Sequence, residues 1–390
     1  MKTRRLGLFT TINTNIGDDF IREGILRCIR GLMPADKLEL VTLNKHDPLK
    51  VYPPRHPIRL IDKYQINQFK PRWLTKPVRV LARDFLPRFG FTIFESCDVL
   101  IQCGTPILWQ GCRDGEWARS IWQDVFARLA KKGKPLLNLG GGACYPIEQL
   151  PETLVGNRDE TFARLMLDSA QLTTVRDKLA HKLFSSVGGK VHGLCCPALL
   201  AAQAHVSPAI PTRKVIVNYM QGGGHYDWGQ AINAQSWERT MRQAVRYLEQ
   251  LKWQPLLVAH NQKELALAEA IWPDLPRICP KDVRDYFEVT RDAAFGVVNR
   301  MHASVGLAGL GIPSVAIGTD SRNFMVEQTG LPVFYVKEAT IDRMVAAIDD
   351  LCIHREIMSR NLLDLQFATL QEYSNHLQRF FNQKTGHVHR

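Results

Sequence analysis

Short apolar runs recur along the chain, and each is followed by a polar or glycine-containing turn and then by apolar residues at helical spacing. The first such unit, within residues 6–43, predicts a strand, a turn, a helix and a second strand. A later unit, within residues 295–317, predicts a strand, a small-residue helix that ends at Gly311 and Pro313, and another strand. Alternation of strands and helices at this spacing predicts parallel sheets covered by helices.

Three further segments carry the same pattern. A strand predicted over residues 135–139 ends at three consecutive glycines, and helices are predicted over 341–351 and in most of 355–381. Each glycine lets the backbone or a ligand approach the strand end closely.

Two series of strand and helix units are separated by a segment that contains two prolines and little periodicity. A chain of 390 residues is also too long for one ordinary hydrophobic core. We therefore predict an α/β protein with two Rossmann-like domains facing a central cleft, a GT-B-like arrangement, followed by a helical C-terminal segment. The predicted boundaries are 1–205 for the first domain, with an insertion-like segment at about 50–94; 206–214 for the linker; 215–354 for the second domain; and 355–390 for the C-terminal helix and tail.

The net charge of +12 is concentrated in residues 50–94, where ten basic residues and two acidic ones give +8. Aromatic residues are interleaved with these charges. Such a segment suits peripheral contact with an anionic membrane or a phosphate-bearing acceptor, whereas nucleic acid is a less favoured partner. A solvated insertion with ordinary aromatic anchors explains the same pattern.

The cysteines and the N-terminus indicate the compartment. Nine cysteines are scattered without a C-x-x-C pair, which predicts reduced thiols and neither a disulfide framework nor a metal site. The apolar run after the basic N-terminus is only about six residues long, and no run reaches the roughly 18 that a membrane span needs. We predict a cytoplasmic protein, at the inner face of the membrane if residues 50–94 bind lipid, with no tightly bound cofactor.

Polar and charged side chains collect where the last two predicted strands end. Asn299, Arg300 and His302 follow one strand, and Gly318 and Arg322 follow the next. In an open α/β sheet, ligands bind at the carboxyl ends of the strands. Two arginines, a histidine and a helix N-terminus at such an edge predict a pocket for an anion.

Similar positions follow other predicted strands in both halves. They offer carboxylates, an arginine, a histidine and a tight loop, which are groups that bind or position a polar substrate. These candidates are Asp18, Gly104, Thr105, Arg176, Asp177, His260 and Glu264.

The order and spacing of several short motifs resemble the polysaccharide pyruvyl transferase family over about residues 6–335. One position differs from the family's usual pattern, because Cys196 stands where an aspartate is common before Pro-Ala. The loop Cys103-Gly104-Thr105-Pro106 also departs from the family's usual glycine-rich sequence. The matching motifs are Asn15-Ile16-Gly17-Asp18, Cys103-Gly104, Gly140-Gly141-Gly142, Thr174-Val175-Arg176-Asp177, Cys196-Pro197-Ala198, His260 with Glu264, Asn299-Arg300-Met301-His302 and Gly311-Ile312-Pro313.

The resemblance implies transfer of pyruvate from phosphoenolpyruvate to hydroxyls of a sugar, free or lipid-linked, in a cell-surface polysaccharide or its precursor. The expected product is a ketal. By resemblance, Arg176, Arg300 and His302 match the donor-binding and catalytic positions. Asn299, Gly318 and Arg322 are expected to complete the donor site from their positions at the strand ends.

A division of roles follows from the chemistry of these side chains. We expect Arg176 and Arg300 to clamp the donor across the cleft, because a guanidinium binds carboxylate or phosphate with two hydrogen bonds. His302 is the expected general acid and base, since histidine titrates near neutrality. His260 and Glu264 are expected to handle the acceptor or to orient His302. Asp18, Gly104, Thr105 and Asp177 are expected to position loops or to accept from sugar hydroxyls.

Two other functions remain open from the sequence. A nucleotide-sugar glycosyltransferase would share the two-domain architecture, with Glu264 or Asp320 binding a ribose. A non-catalytic basic protein would instead bind polymer, nucleic acid or membrane through residues 50–94.

Overall fold

Two parallel β-sheets, one in each half of the chain, form the framework of the protein. The structure is a computed structural model that describes residues 3–12, 15–63, 76–78, 80–81, 91–115, 117–224, 226 and 228–385. The first sheet has the strand order β2-β1-β3-β5-β6-β7, with β4 paired to β5. Its strands are β1 Arg4–Thr10, β2 Leu38–Asn44, β3 Val99–Cys103, β4 Pro106–Leu108, β5 Leu136–Ala143, β6 Leu172–Val175 and β7 His192–Gly193.

The second sheet has the order β10-β9-β8-β11-β12-β13, which is the strand order of a dinucleotide-binding Rossmann domain. The strand order reverses between β8 and β11, and this reversal is where such sheets bind ligands. Its strands are β8 Lys214–Asn218, β9 Gln254–Val258, β10 Arg277–Ile278, β11 Phe295–Val298, β12 Ser314–Gly318 and β13 Val333–Tyr335.

Helices cover the sheets, as the alternating pattern predicts. A π-helical segment, Ala118–Phe126, leads directly into one of them. The helices are α1 Ile16–Leu32, α2 Pro57–Lys63, α3 Ala127–Lys131, α4 Glu160–Ser169, α5 Lys178–Ser186, α6 Ala234–Gln250, α7 Gln262–Ile271, α8 Val283–Thr290, α9 Met301–Ala308, α10 Asn323–Glu327 and α11 Ile341–Thr385.

Two sequence-based boundaries were wrong. Strand β5 does not end before the three glycines but continues through them to Ala143, with a shift of register between Asn138 and Gly141. Glycine suits this part of the strand because β4 and the Arg176 side chain approach it closely. A Cβ at Gly142 would lie 2.6 Å from Arg176 Nε. The two predicted C-terminal helices are one continuous helix, α11, because no glycine or proline interrupts them.

The two halves share a hydrophobic core. Phe20 of α1 packs against Tyr286 and Phe287 of α8, with ring centroids 4.8 and 4.9 Å apart. Helix α11 also contacts both halves, because the Gln366 amide donates to the carbonyls of Leu199 and Gly309. The strand ends of the two sheets are therefore held close together.

Tyr52 and Phe94, near the two ends of the basic segment, pack in the first half. Tyr52 and Phe94 are fully buried, and Ile93 N donates to Val51 O at 2.9 Å. These two aromatic residues therefore serve as anchors. Residues 64–75, 79 and 82–90 lie outside the described residues, so membrane contact through this segment stays a prediction. None of the helices that the structure describes is long and apolar enough to cross a membrane.

Candidate functional site

His302, Arg176 and Asp18 meet between the two halves of the protein. His302 lies in the first turn of α9, Arg176 follows β6, and Asp18 lies in the first turn of α1. The distance from Arg176 Nη1 to His302 Nε2 is 3.0 Å, and that from His302 Nδ1 to Asp18 Oδ1 is 3.9 Å. An arginine can only donate, so Nε2 accepts and the imidazole proton lies on Nδ1, facing Asp18.

The Arg176 guanidinium is buried, and no carboxylate of the described residues bonds it. The side chain has no exposed surface, and Nε and Nη2 have no hydrogen-bond partner among the described residues. Its nearest bond besides His302 is to Cys196 Sγ, at 3.9 Å from Nη1. Buried donors of a cation are costly to leave unsatisfied, so this group indicates a site for an anion.

Asp177 does not bond its neighbour Arg176 but caps a helix. Its Oδ1 accepts from Ala180 N at 2.7 Å in the first turn of α5, and its Oδ2 accepts from Ala143 N at 2.9 Å at the end of β5. These bonds tie the start of α5 to the end of β5. The role of Asp177 in positioning loops or binding sugar hydroxyls stays a prediction.

Lys45 belongs to the same cluster, although the motif analysis missed it. It follows β2 directly, its side chain is 14% exposed, and Nζ lies 3.9 Å from Asp18 Oδ2. Because β2 and β1 are neighbours, their carboxyl ends bring Lys45 and α1 together. The strand-end rule that selected the other candidates could have found it.

The charges of the cluster fix its protonation near pH 7. Burial alone would raise the pKa of Asp18, but the positive charges of Lys45, Arg176 and Arg322 outweigh it, and the pKa is lowered to about 2. Burial, and then the positive charge of Arg176, hold the pKa of His302 well below its usual value. The free protein therefore carries an ionised Asp18 beside a neutral His302.

Arg322 contributes a further positive charge from the second half. Its Nε and Nη2 donate to the two carboxylate oxygens of Asp320 at 2.8 and 2.6 Å, and its guanidinium lies 5.1 Å from the ring centroid of Tyr226. Asp320 itself forms a β-bridge with Pro146 of the first half. The loop after β12 is thus fixed against the loop after β5.

Arg300 lies in a separate buried pair with Glu264. Its Nε donates to Glu264 Oε1 at 2.9 Å, and Nη2 also bonds this oxygen. Glu264 Oε2 accepts from His260 N at 2.9 Å, and Arg300 N donates to Asn218 Oδ1 at the switch between β8 and β11. The expected clamp of Arg176 and Arg300 across the cleft is thus not assembled, because Glu264 engages the Arg300 guanidinium.

His260 is buried against Phe20 and Tyr286, and its two ring nitrogens have no hydrogen-bond partner among the described residues. Burial is the main reason that its pKa is lowered to about 4. The ring is therefore neutral near pH 7 and can both donate and accept a hydrogen bond.

The remaining candidates shape the strand ends. Asn299 Oδ1 accepts from Met220 N at 3.0 Å and Nδ2 donates to Ile317 O at 3.1 Å, which joins the loops of the second sheet. Gly318 lies against Asn323. These residues border a cavity of about 20 Å³, the size of one water molecule.

Gly104 and Thr105 form the turn after β3. Both have left-handed backbone conformations, with φ of 54° and 76°, and Thr105 is fully buried. Thr105 O accepts from Gly142 N at 3.1 Å, so the turn is held against β5. A threonine in this conformation is strained, and the surrounding hydrogen bonds hold it there.

Comparison with protein families identifies this set of residues. The family model described as polysaccharide pyruvyl transferase matches residues 15–321. The chain belongs to this family. The match begins at the N-cap of α1 and includes Asp18, Lys45, Arg176 and His302, whereas Arg322 lies one residue beyond it.

Solved structures share the fold of this polysaccharide pyruvyl transferase family member. MnaA from S. aureus in complex with UDP is 12% identical, with a TM-score of 0.54, 98% of this chain covered and 97% of that one. A putative UDP-N-acetylglucosamine 2-epimerase from Listeria monocytogenes is 13% identical, with a TM-score of 0.53 and coverage of 93% and 91%. The α,α-trehalose 6-phosphate synthase from Burkholderia multivorans is 10% identical, with a TM-score of 0.52 and coverage of 99% and 100%.

These similarities confirm the predicted GT-B-like fold, and at such low identity they show the fold alone. Comparison with curated protein sequences gives no significant match. The family match therefore carries the functional assignment to polysaccharide pyruvyl transfer.

Proposed function

We propose that the protein transfers the pyruvyl group of phosphoenolpyruvate to sugar hydroxyls of a polysaccharide or its precursor and forms a pyruvate ketal. The observation that supports this proposal best is the buried Arg176 guanidinium, whose Nε and Nη2 have no partner among the described residues. Two oxygens of a carboxylate or a phosphate would satisfy both nitrogens with the bidentate geometry that arginine favours.

The proposed donor site uses a different set of cations from the clamp expected from sequence. Phosphoenolpyruvate carries a carboxylate and a phosphate on a three-carbon frame, so it needs several positive groups around it. Arg176 contacts His302, Lys45 lies 3.9 Å from Asp18, and the positive charges of both lower the pKa of Asp18. Arg322, which is paired with Asp320, adds its charge from the second half. Arg300, which Glu264 engages, would instead hold the strand ends of the second half in place.

Ketal formation consumes one phosphoenolpyruvate and two hydroxyl groups. The methylene carbon C3 gains a proton and becomes a methyl group, C2 forms bonds to two sugar oxygens, and the bond from C2 to the phosphate oxygen breaks. The two hydroxyl protons balance the reaction, because one reaches C3 and the other leaves with inorganic phosphate.

His302 is the proposed proton carrier. In the free protein its Nε2 accepts from Arg176. When the donor's anionic groups take the hydrogen bonds of Arg176, Nε2 becomes available to accept a proton and to deliver it to C3. Asp18, facing Nδ1, would orient the ring and stabilise the imidazolium. The site thus couples donor binding to protonation of its acid.

A thermal-shift titration tests the donor. Phosphoenolpyruvate, UDP, UDP-N-acetylglucosamine and inorganic phosphate are compared, because a ligand that binds only the folded state must stabilise it. We expect a shift selective for phosphoenolpyruvate that is lost in Arg176→Met and retained in Arg119→Met, which removes an exposed arginine. A shift produced by UDP or the UDP-sugar alone would assign the protein to nucleotide-sugar transfer instead.

The product distinguishes two kinds of pyruvyl transfer. A ketal contains a methyl group on C2, whereas an enolpyruvyl ether keeps the two vinyl protons of the donor. Proton NMR of a reacted acceptor should therefore show a new methyl singlet, together with release of inorganic phosphate. Persistence of vinyl signals in the product would contradict ketal formation.

A further inference from the structure

A second cavity, of about 570 Å³, lies between the two halves on the far side of the first turn of α1. One wall comes from α1 and the other from the starts of α7 and α8. Its volume is within the roughly 300–1,000 Å³ typical of small-molecule sites. The mechanism described above does not use it.

Consecutive residues of α1 join this cavity to the proposed donor site. Asp18 faces Lys45 and His302, whereas the next residue, Asp19, lines the cavity. A molecule in the cavity would therefore contact α1 one residue away from Asp18, whose carboxylate faces His302. An acceptor hydroxyl has to approach C2 from such a neighbouring position.

His260 provides an independent indication of a ligand. The residue lines the cavity, is only 6% exposed, and has no described hydrogen-bond partner at Nδ1 or Nε2. Buried polar groups are almost always satisfied, so both nitrogens fit hydrogen bonds to a bound molecule. A sugar hydroxyl, which donates and accepts, matches the two nitrogens of a neutral imidazole.

The charge of the lining indicates which molecule fits. Arg22 already bonds Asp19 and Glu23. Among the described residues that line the cavity, basic and acidic side chains other than histidine are equal in number, so an anionic group gains no net attraction there. These side chains are Arg22, Lys281 and Arg284, and Asp19, Glu23 and Asp282.

We propose that this cavity binds uncharged sugar rings of the acceptor glycan, with His260 hydrogen-bonded to a hydroxyl. This inference rests on the proposed function, because it assigns the acceptor's place relative to the donor. The balanced charge distinguishes it from a site for a sugar phosphate or a lipid diphosphate.

Saturation-transfer NMR without phosphoenolpyruvate tests the cavity separately from the donor site. The probes are the methyl glycosides of glucose, galactose, mannose and N-acetylglucosamine, and the corresponding sugar 1-phosphates. We expect at least one neutral glycoside to bind, with affinity at least tenfold weaker in His260→Phe. That variant keeps an aromatic ring against Phe20 and Tyr286 and removes only nitrogens without a described partner.

Two variants separate this proposal from the proposed function. Arg176→Met should lose phosphoenolpyruvate binding and keep glycoside binding, and His260→Phe should show the reverse. His181→Phe, the same substitution at an exposed histidine outside the cavity, should leave both unchanged. Binding by the 1-phosphates alone, no glycoside binding from the whole panel, or binding insensitive to His260→Phe would overturn the proposal.

Discussion

At the scale of single residues, Arg176 is a fully buried cation with two donors that have no partner among the described residues. Removing it should therefore stabilise the free protein, because two buried donors without a described partner disappear with it. We expect Arg176→Met to raise the free energy of unfolding by about 1–3 kcal/mol, measured by urea denaturation. The same variant should lose the thermal shift with phosphoenolpyruvate.

Arg22→Met is the control for that prediction. Arg22 bonds Asp19, Glu23 and the carbonyl of Thr11, so its removal should lower the free energy of unfolding. A loss of stability in Arg176→Met as large as that in Arg22→Met would show that Arg176 is a structural residue and not an anion site.

The lowered pKa of His302 leads to a prediction about proton uptake when the donor binds. This pKa lies well below the usual value in the free protein, because burial and Arg176 disfavour the imidazolium. A bound anion raises that pKa by adding negative charge, so binding should take up as much as one proton at pH 7.5. Calorimetry in buffers of different ionisation enthalpy measures the uptake, which should vanish in His302→Gln. Equal uptake in both proteins would argue against a proton on His302.

At the scale of elements, the first turn of α1 fits directly against the first turn of α9. A Cβ on Gly17 would lie 2.5 Å from His302 Cβ, whereas a Cβ on Gly31 of the same helix meets nothing within 4 Å. Glycine to alanine in a helix normally stabilises by about 0.5–1 kcal/mol. We expect that gain for Gly31→Ala and a loss of about 1–3 kcal/mol for Gly17→Ala, because the two helices must separate.

Thermal denaturation of both variants measures these opposite effects. Gly17→Ala should also weaken phosphoenolpyruvate binding, since it displaces His302, and Gly31→Ala should not. Equal stabilisation by both alanines would mean that the contact between α1 and α9 is looser than the structure indicates.

At the scale of the whole molecule, the shared core predicts that the halves unfold together. Phe20, Tyr286 and residues of α11 belong to one buried cluster with contributions from both sheets. Hydrogen exchange in increasing urea should therefore show β3 and β8 losing protection at the same concentration. Gln366→Leu, which leaves two buried carbonyls without this donor, should lower both midpoints equally. Protection that persists in β8 after β3 has exchanged would contradict a shared core.

The sequence by itself determined the class of fold and the positions from which the site is built. Alternating apolar runs and turns predicted both parallel sheets, because burial on two faces requires continuous apolar strands. Ligands of an open α/β sheet bind at the carboxyl ends of its strands, and this regularity selected Asp18, Arg176 and His302. Each of these residues follows a predicted strand, so the direction of the chain places it at that edge of the sheet. The two separate helix predictions, by contrast, missed the continuity of α11, because apolar periodicity alone does not show where a helix ends when no glycine or proline interrupts it.

Only the tertiary structure decided how these residues pair. Arg300 and Arg176 look alike in sequence, yet Glu264 engages the first, while the second has two nitrogens without a described partner. Lys45 follows a predicted strand, but only the structure shows that the pairing of β2 with β1 brings its ammonium group to 3.9 Å from Asp18. The sequence shows which side chains can carry a charge. Whether such a side chain can bind a ligand depends on which groups the fold brings within hydrogen-bond distance of it.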